Sequence, residues 1–425
     1  MHLGRINLWP HREAPATAAA PSPGPPRLSP RIRSVDAPPI LAAREWGTRY
    51  DGSLGPLVDL TQAVPGYPPH PELLERLASE AGSAATAGYG PINGEPALRE
   101  ALAEDVAAAY GGDVRPADVA VTSGCNLAFS MATAVLAGDG DAVMLPAPWF
   151  FNHRMMLGAH GVAAVPLPCR GEDGFLPDPE RAAALWDDRV RAVVLCTPNN
   201  PTGAVYPPEL VARFAALCRS RGAWLVLDET YRDFLPPGRA APHGLFADPS
   251  WRDGVVHLYS FAKAYCVPGH RVGAVVAGPA VQAELMKAID TYQICPPRAA
   301  QRALAWAVPA LRGWREANRA EMARRAAVFA GALAEAPGWR DDARGTYFAY
   351  LRVPDGLPDA PEAGERLAAE HGLVALPGPF FGPGGERHMR VAFANASEES
   401  LRMVPGRLAA LGAAVARAAP RLAAE

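Results

Sequence analysis

The chain has 425 residues, 49% hydrophobic and 20% charged, which is enough apolar material for a sizeable core and excludes a wholly disordered or fibrous protein. Its 41 basic and 44 acidic side chains leave a formal charge of −3, so no global basic field invites nucleic acid or an anionic membrane. No run of about 20 apolar residues predicts a membrane span. The six cysteines are scattered, without CxxC or Cys/His ligand spacing. That argues against a disulfide framework or a zinc site and suits small buried side chains in a reducing cytoplasm.

Residues 1–36 read as a flexible Pro/Ala-rich tail. Nine of the 45 prolines fall in the first 40 residues. Each removes an amide donor and restricts the residue before it, so APATAAAPSPGPPRLSPR is not expected to hold a helix. The tail has no apolar stretch of the secretory-signal kind.

From residue 90 the pattern is regular. PALREALAEDVAAAYGG (95–112) predicts an amphipathic helix closed by glycine. Apolar runs of strand length follow at 118–124, 141–146, 162–168, 191–198, 223–229, 255–260 and 271–278. Helical stretches such as LAFSMATAVLAG, PERAAALW and PELVARFAALCRSRG separate them. Strands apolar throughout and alternating with helices predict an α/β fold, its mostly parallel sheet covered on both faces, ending near residue 290. Beyond it come a helical region (297–335), a strand (346–353), a helix (361–371), a strand (388–394) and a last helix (398–418). These predict a smaller α+β unit.

In open α/β sheets ligands bind beyond the carboxyl ends of the strands, and the polar motifs fall there. TSGCN ends the first strand and opens a helix, whose amides and dipole suit a phosphate. TPNNPTG ends the fourth, with two adjacent amides, Asn199 and Asn200, in a turn sequence. LVLDETYRDF ends the fifth with Asp228 and Glu229, carboxylates that need cationic or hydrogen-bonding partners so close to apolar surroundings. HLYSFAKAYCVPGHRVG carries Ser260, Lys263 and Arg271. The chain uses arginine almost everywhere that a cation is needed, so Lys263 at a strand end is not a casual surface choice. A lysine shielded from water has a lowered pKa and can act as an amine nucleophile, and an arginine can fork onto a phosphate.

Taken in register, NPTG, D-x-x-Y and S-x-x-K-(x7)-R resemble the class I/II aminotransferases among the fold-type I enzymes that use pyridoxal 5′-phosphate (PLP). The resemblance covers about residues 45–420. It implies a tail (1–36), an N-terminal segment shared between the small domain and dimer contacts (37–80), a large PLP-binding domain (81–290) and a C-terminal small domain (291–425). It implies that Lys263 holds PLP as a Schiff base and shuttles the α-proton, and that Asp228 pairs with the pyridine nitrogen. Tyr231 and Asn200 would bond the ring's 3′-oxygen. Gly124, Cys125 and Asn126 would form the phosphate loop, with Ser260 and Arg271 as further phosphate ligands. In PAPWFFNH, Phe150 is the ring-stacking aromatic, or Trp149 if the register slips by one. Arg390 in HMRVAFA would hold the substrate α-carboxylate, with Ala63 in LTQAVPG and Asn200 beside it. Tyr89 in AGYGPINGEPALREAL would reach a partner's phosphate, which implies a homodimer with shared active sites.

The chain also departs from the family pattern. Ala262 stands where many relatives have a serine, and Cys125 and Asn126 are not the commonest phosphate-loop pair. Arg298 is the candidate for a second carboxylate clamp, and Tyr292 and Gln293 for pocket-lining positions across a dimer. His153, His160 and His270 are expected to be structural. The reading is a cytoplasmic PLP-dependent aminotransferase that moves an amino group from an α-amino acid to a 2-oxo acid. The alternative keeps the cofactor but eliminates or replaces a β- or γ-group, or forms a carbon–carbon bond. A regulator built on the same domain would need a DNA-reading module, and the tail has no helix-turn-helix pattern.

Overall fold

The computed structural model describes residues 26–238, 241–345 and 347–422, with side chains to 417. Most of the predicted tail, residues 1–25, therefore lies outside the described residues. The part that is described departs from expectation. Pro30–Arg33 forms a helical turn, and Arg31 pairs with Asp139. Proline is tolerated there because a helix's first amides have no internal partner. Two further helices, Pro39–Gly47 and Pro71–Ala81, also begin on proline and were not anticipated from the sequence.

Strand β1 (Val58–Asp59) precedes a seven-stranded sheet. Its members are β2 (Val119–Thr122), β3 (Ala142–Ala147), β4 (Ala163–Pro168), β5 (Val190–Cys196), β6 (Trp224–Asp228), β7 (Val255–Ser260) and β8 (Gly273–Ala277). All seven apolar runs expected to be strands are in it, in the order β2-β8-β7-β6-β5-β3-β4. Neighbours run parallel except β8, which is antiparallel to β2 and β7. Strand alternation splits the core into two layers. Val193, Leu195, Leu225 and Leu227 face one, while Val194, Val226, Val256 and Leu258 face the other. Burial of each such side chain stabilises the fold by about 1.5–3 kcal/mol.

The C-terminal part forms an antiparallel sheet of β9 (Arg340–Gly345), β10 (Phe348–Arg352), β12 (Leu376–Pro377) and β13 (His388–Ala392). The short β11 (Leu373–Val374) pairs instead with β1, which ties the N-terminal segment to this part of the chain. The helical region expected at 297–335 is two helices, Arg298–Ala310 and Arg312–Ala334. Strand β9 escaped the sequence reading because its RDDARG carries no apolar alternation, being held at the sheet edge by β10 alone. None of the described helices is long and apolar enough to cross a membrane.

The topology fixes where chemistry can occur. Because β8 runs backwards, the residues that enter it meet the carboxyl ends of its neighbours. Gly273 pairs with Thr122 of β2 and with Ser260 of β7. One row therefore brings the turn after β2, the turn after β7 and Arg271 together. Asp228 pairs with Cys196 on one side and Leu258 on the other, which continues the row.

Candidate active site

A cavity of about 380 Å³ opens along this row. Ala63, Cys125, Asn126, Phe150, Asn200 and Asp228 line it, together with Tyr231, Ser260, Lys263, Arg271 and Arg390. Eleven of the residues given a cofactor or substrate role from the sequence thus share one space. Gly124 supports the same wall from behind. It caps the helix Cys125–Leu136 with φ 91°, and a Cβ there would collide with the Arg271 guanidinium. Tyr89 does not line the cavity, and its side chain is 80% exposed. Trp149 packs its ring against Gly382, leaving Phe150 to face the cavity.

Lys263 follows β7 in the short helix Phe261–Ala264, which Ser260 caps through its hydroxyl. Its Nζ donates to the Ala63 carbonyl. Burial, with Arg271 and Arg390 nearby, lowers its pKa from 10.5 to about 8. A neutral amine is therefore accessible near neutral pH, as a nucleophile requires.

Asp228 ends β6, 5% exposed. Burial alone would raise its pKa, but hydrogen bonds from His153 and Thr230 outweigh it and hold the carboxyl below its usual 3.8. His153 Nε2 lies 3.0 Å from Oδ2, while the Thr230 hydroxyl and amide donate to Oδ1 at 2.7 and 3.1 Å. Neither residue was anticipated from the sequence. His153, expected to be structural, is buried and hydrogen-bonded, its ring stacked on Phe129 and its Nε2 on the Asp228 carboxylate. The available signal was its spacing, three residues after Phe150 and so on the same helix face. His160 hydrogen-bonds Ser130, and His270 is exposed.

Strand alternation turns Glu229 away from the cavity, into a buried group with Tyr110, His257 and His243. The two amides divide similarly. Asn199 braces its own turn through Cys196, Thr202 and Tyr206, whereas Asn200 faces the cavity and accepts from Arg390 at 3.1 Å.

Arg390 reaches the cavity from β13, 1% exposed. Its guanidinium lies between the rings of Phe348 and Phe381, donates to Asn200 and to the Thr61 carbonyl, and leaves Nε without a partner. Burial lowers its pKa to about 10. Arg298 is not in the cavity; its Nε is 2.5 Å from Glu95 Oε1, which corrects its candidacy as a second clamp within this chain. Tyr292 is 53% exposed, and Gln293 accepts a hydrogen bond from the Ser123 hydroxyl. All six cysteines are free. Among the described residues no cluster of His, Cys, Asp or Glu has the makings of a metal site.

A mostly parallel sheet with an amine, a held carboxylate and two arginines meeting at its carboxyl edge is an arrangement suited to group transfer. The model of the family described as aminotransferase class I and II matches residues 56–408, and the chain belongs to that family. It is 32% identical over 317 residues to an arginine–pyruvate transaminase of Pseudomonas aeruginosa, covering 73% of this chain and 79% of that one. It is also 32% identical over 373 residues to an aspartate/prephenate aminotransferase of Thermus thermophilus, covering 83% and 90%. The solved aspartate aminotransferase of Thermus thermophilus with maleate superposes with a TM-score of 0.82 at 28% identity, covering 91% of this chain and all of that one. The protein is an aminotransferase, of a family that uses PLP, and the elimination, replacement or bond-forming alternative is not favoured.

Proposed function

We propose that this aminotransferase binds PLP in the cavity at the carboxyl edge of the sheet and moves an α-amino group to a 2-oxo acid. The observation that carries the reading is the pairing, in one cavity, of a lysine with its pKa lowered to about 8 and a buried aspartate with its pKa held low. The donor set fits the cofactor. Lys263 supplies the amine for the aldehyde, and Asp228 the anion for the ring nitrogen. Tyr231 and Asn200 would hold the ring oxygen, and Phe150 would flank the ring. The helix start at Gly124, Cys125 and Asn126, with Ser260 and Arg271, would hold the phosphate.

When bound, PLP supplies an electron-withdrawing ring that spreads the charge left at the substrate's α-carbon. Asp228, kept ionised by His153 and Thr230, maintains the positive charge at the ring nitrogen on which that withdrawal depends. The Lys263 amine would hold and return the α-proton, for which a pKa near the working pH is suited. Arg390 would orient the substrate through its carboxylate, using a planar fork that lies against the rings of Phe348 and Phe381. The exposed Tyr89 suits a place at the edge of a second copy's cavity, in a homodimer with shared sites.

Borohydride reduction followed by peptide mass spectrometry tests the reading. A pyridoxyl mass on Lys263 is expected, together with complete loss of turnover in a folded Lys263→Ala variant. An unlabelled Lys263, or turnover that survives the substitution, refutes it.

A further inference from the structure

The curated relatives carry names that span arginine, aspartate, aromatic and valine substrates, so likeness does not choose the side chain. The cavity wall does. Its charged members are Lys263, Arg271, Arg390 and Asp228. On the reading proposed above, the first two and Asp228 are taken by the cofactor and Arg390 by the α-carboxylate. No charge of this wall is left for a substrate side chain.

Beside the Arg390 clamp the wall carries the apolar Ile40 and Phe151, with Gln62 and Asn152 as uncharged polar neighbours. Arg390 rests on Phe381, whose ring centroid is 5.7 Å from that of Phe151. Phe151 lines the cavity with Ile40, which reaches it from the helix Pro39–Gly47. Arg44, one turn along that helix, is committed to Asp59 at 2.9 Å and to Gln62 at 2.8 Å. A second copy of the chain brings the same sequence, and its sequence-derived candidate, Arg298, is engaged by Glu95.

We propose that the amino-acid substrate carries an uncharged, apolar side chain seated against Ile40 and Phe151. This rests on the PLP reading of the same cavity. A carboxylate placed there would lose water without gaining a cation, and a guanidinium would find no anion.

The test uses holoenzyme and single-turnover absorbance changes with leucine, methionine, phenylalanine, aspartate, glutamate and arginine. The best apolar amino acid is expected to exceed aspartate, glutamate and arginine in kcat/KM by about 10-fold or more, the scale on which apolar pockets discriminate. An Ile40→Arg variant, at a half-buried site, is expected to lower kcat/KM for that amino acid by about 10-fold or more and to raise it for aspartate or glutamate. A pyridoxyl mass on Lys263 with a charged amino acid preferred overturns this inference alone. So does an Ile40→Arg variant with an unchanged order of preference. Failure of every amino acid together with an unlabelled Lys263 overturns the PLP reading, and this inference with it.

Discussion

His153 Nε2 and Asp228 Oδ2 are 3.0 Å apart, with side chains only 4% and 6% exposed. A buried carboxylate is tolerated only where hydrogen bonds replace water, and this histidine and Thr230 supply them. A His153→Leu substitution keeps the bulk and removes one donor. It is expected to destabilise the fold by about 1–3 kcal/mol at neutral pH, measured by urea unfolding. The pH dependence follows from the lowered pKa of Asp228. Its stabilisation is present above 3.8 and is lost as pH falls through the folded value. Without His153 that stabilisation shrinks, so the stability gap between wild type and variant is expected to narrow as pH falls below 3.8.

Asp228→Asn separates charge from shape. The amide occupies the same space, so PLP retention should change little. Proton abstraction loses a fixed negative charge aimed at the ring nitrogen, and kcat is expected to fall by about 10²-fold or more. Single-turnover absorbance against PLP content after gel filtration checks both halves. Unaltered turnover would remove Asp228 from the chemistry.

Much of this site was legible because its motifs lie where an apolar strand ends, and a strand's period shows in sequence. Asn200, Asp228 and Lys263 each follow such a run. What escaped notice depends on contacts between segments distant in the chain. His153 gains its role only when the helix Phe151–His160 packs beside β6. Ile40 becomes part of the cavity only because an N-terminal helix, begun on proline in a region dominated by prolines, crosses to it. The edge strand β9 is polar, and only its ladder with β10 marks it. Local pattern carries periodicity and turns; it does not carry which distant surface a side chain meets.

Lys263 offers a second pH signature. Its folded pKa is about 8, against 10.5 without burial. Between those values the unfolded chain binds more protons, so stability of the cofactor-stripped protein should rise with pH across that window. Below about 8 both states are protonated and the gain is absent. A Lys263→Met variant is expected to lose this rise. Urea midpoints of the wild type and the variant near pH 8 and near pH 10.5 provide the comparison, because other groups that titrate there cancel in the difference.

Arg390→Lys tests the carboxylate clamp. Lysine retains the charge but not the planar fork that donates to Asn200 and Thr61 while lying between two rings. The loss of one charge-assisted bond is worth about 1.5–3 kcal/mol, which predicts a rise in KM for the amino acid of about 10- to 100-fold. PLP binding should be unaffected. A variant with wild-type KM would place the substrate carboxylate elsewhere.

Gly124→Ala probes the phosphate end with a single methyl group. The backbone at φ 91° is one that L side chains rarely adopt, and the new Cβ would meet the Arg271 guanidinium. Arginine is the far end of a flexible side chain, so the collision is relieved by moving Arg271 rather than by unfolding. The displaced guanidinium then no longer shares the row with Ser260 and the helix start, and PLP affinity is expected to fall by about 10-fold or more, as loss of a charged hydrogen bond implies. Excess PLP should restore most of the turnover, since the substitution leaves the Lys263, Asp228 and Arg390 side chains themselves unchanged. A variant that binds PLP as tightly as the wild type would show that Arg271 does not hold the phosphate.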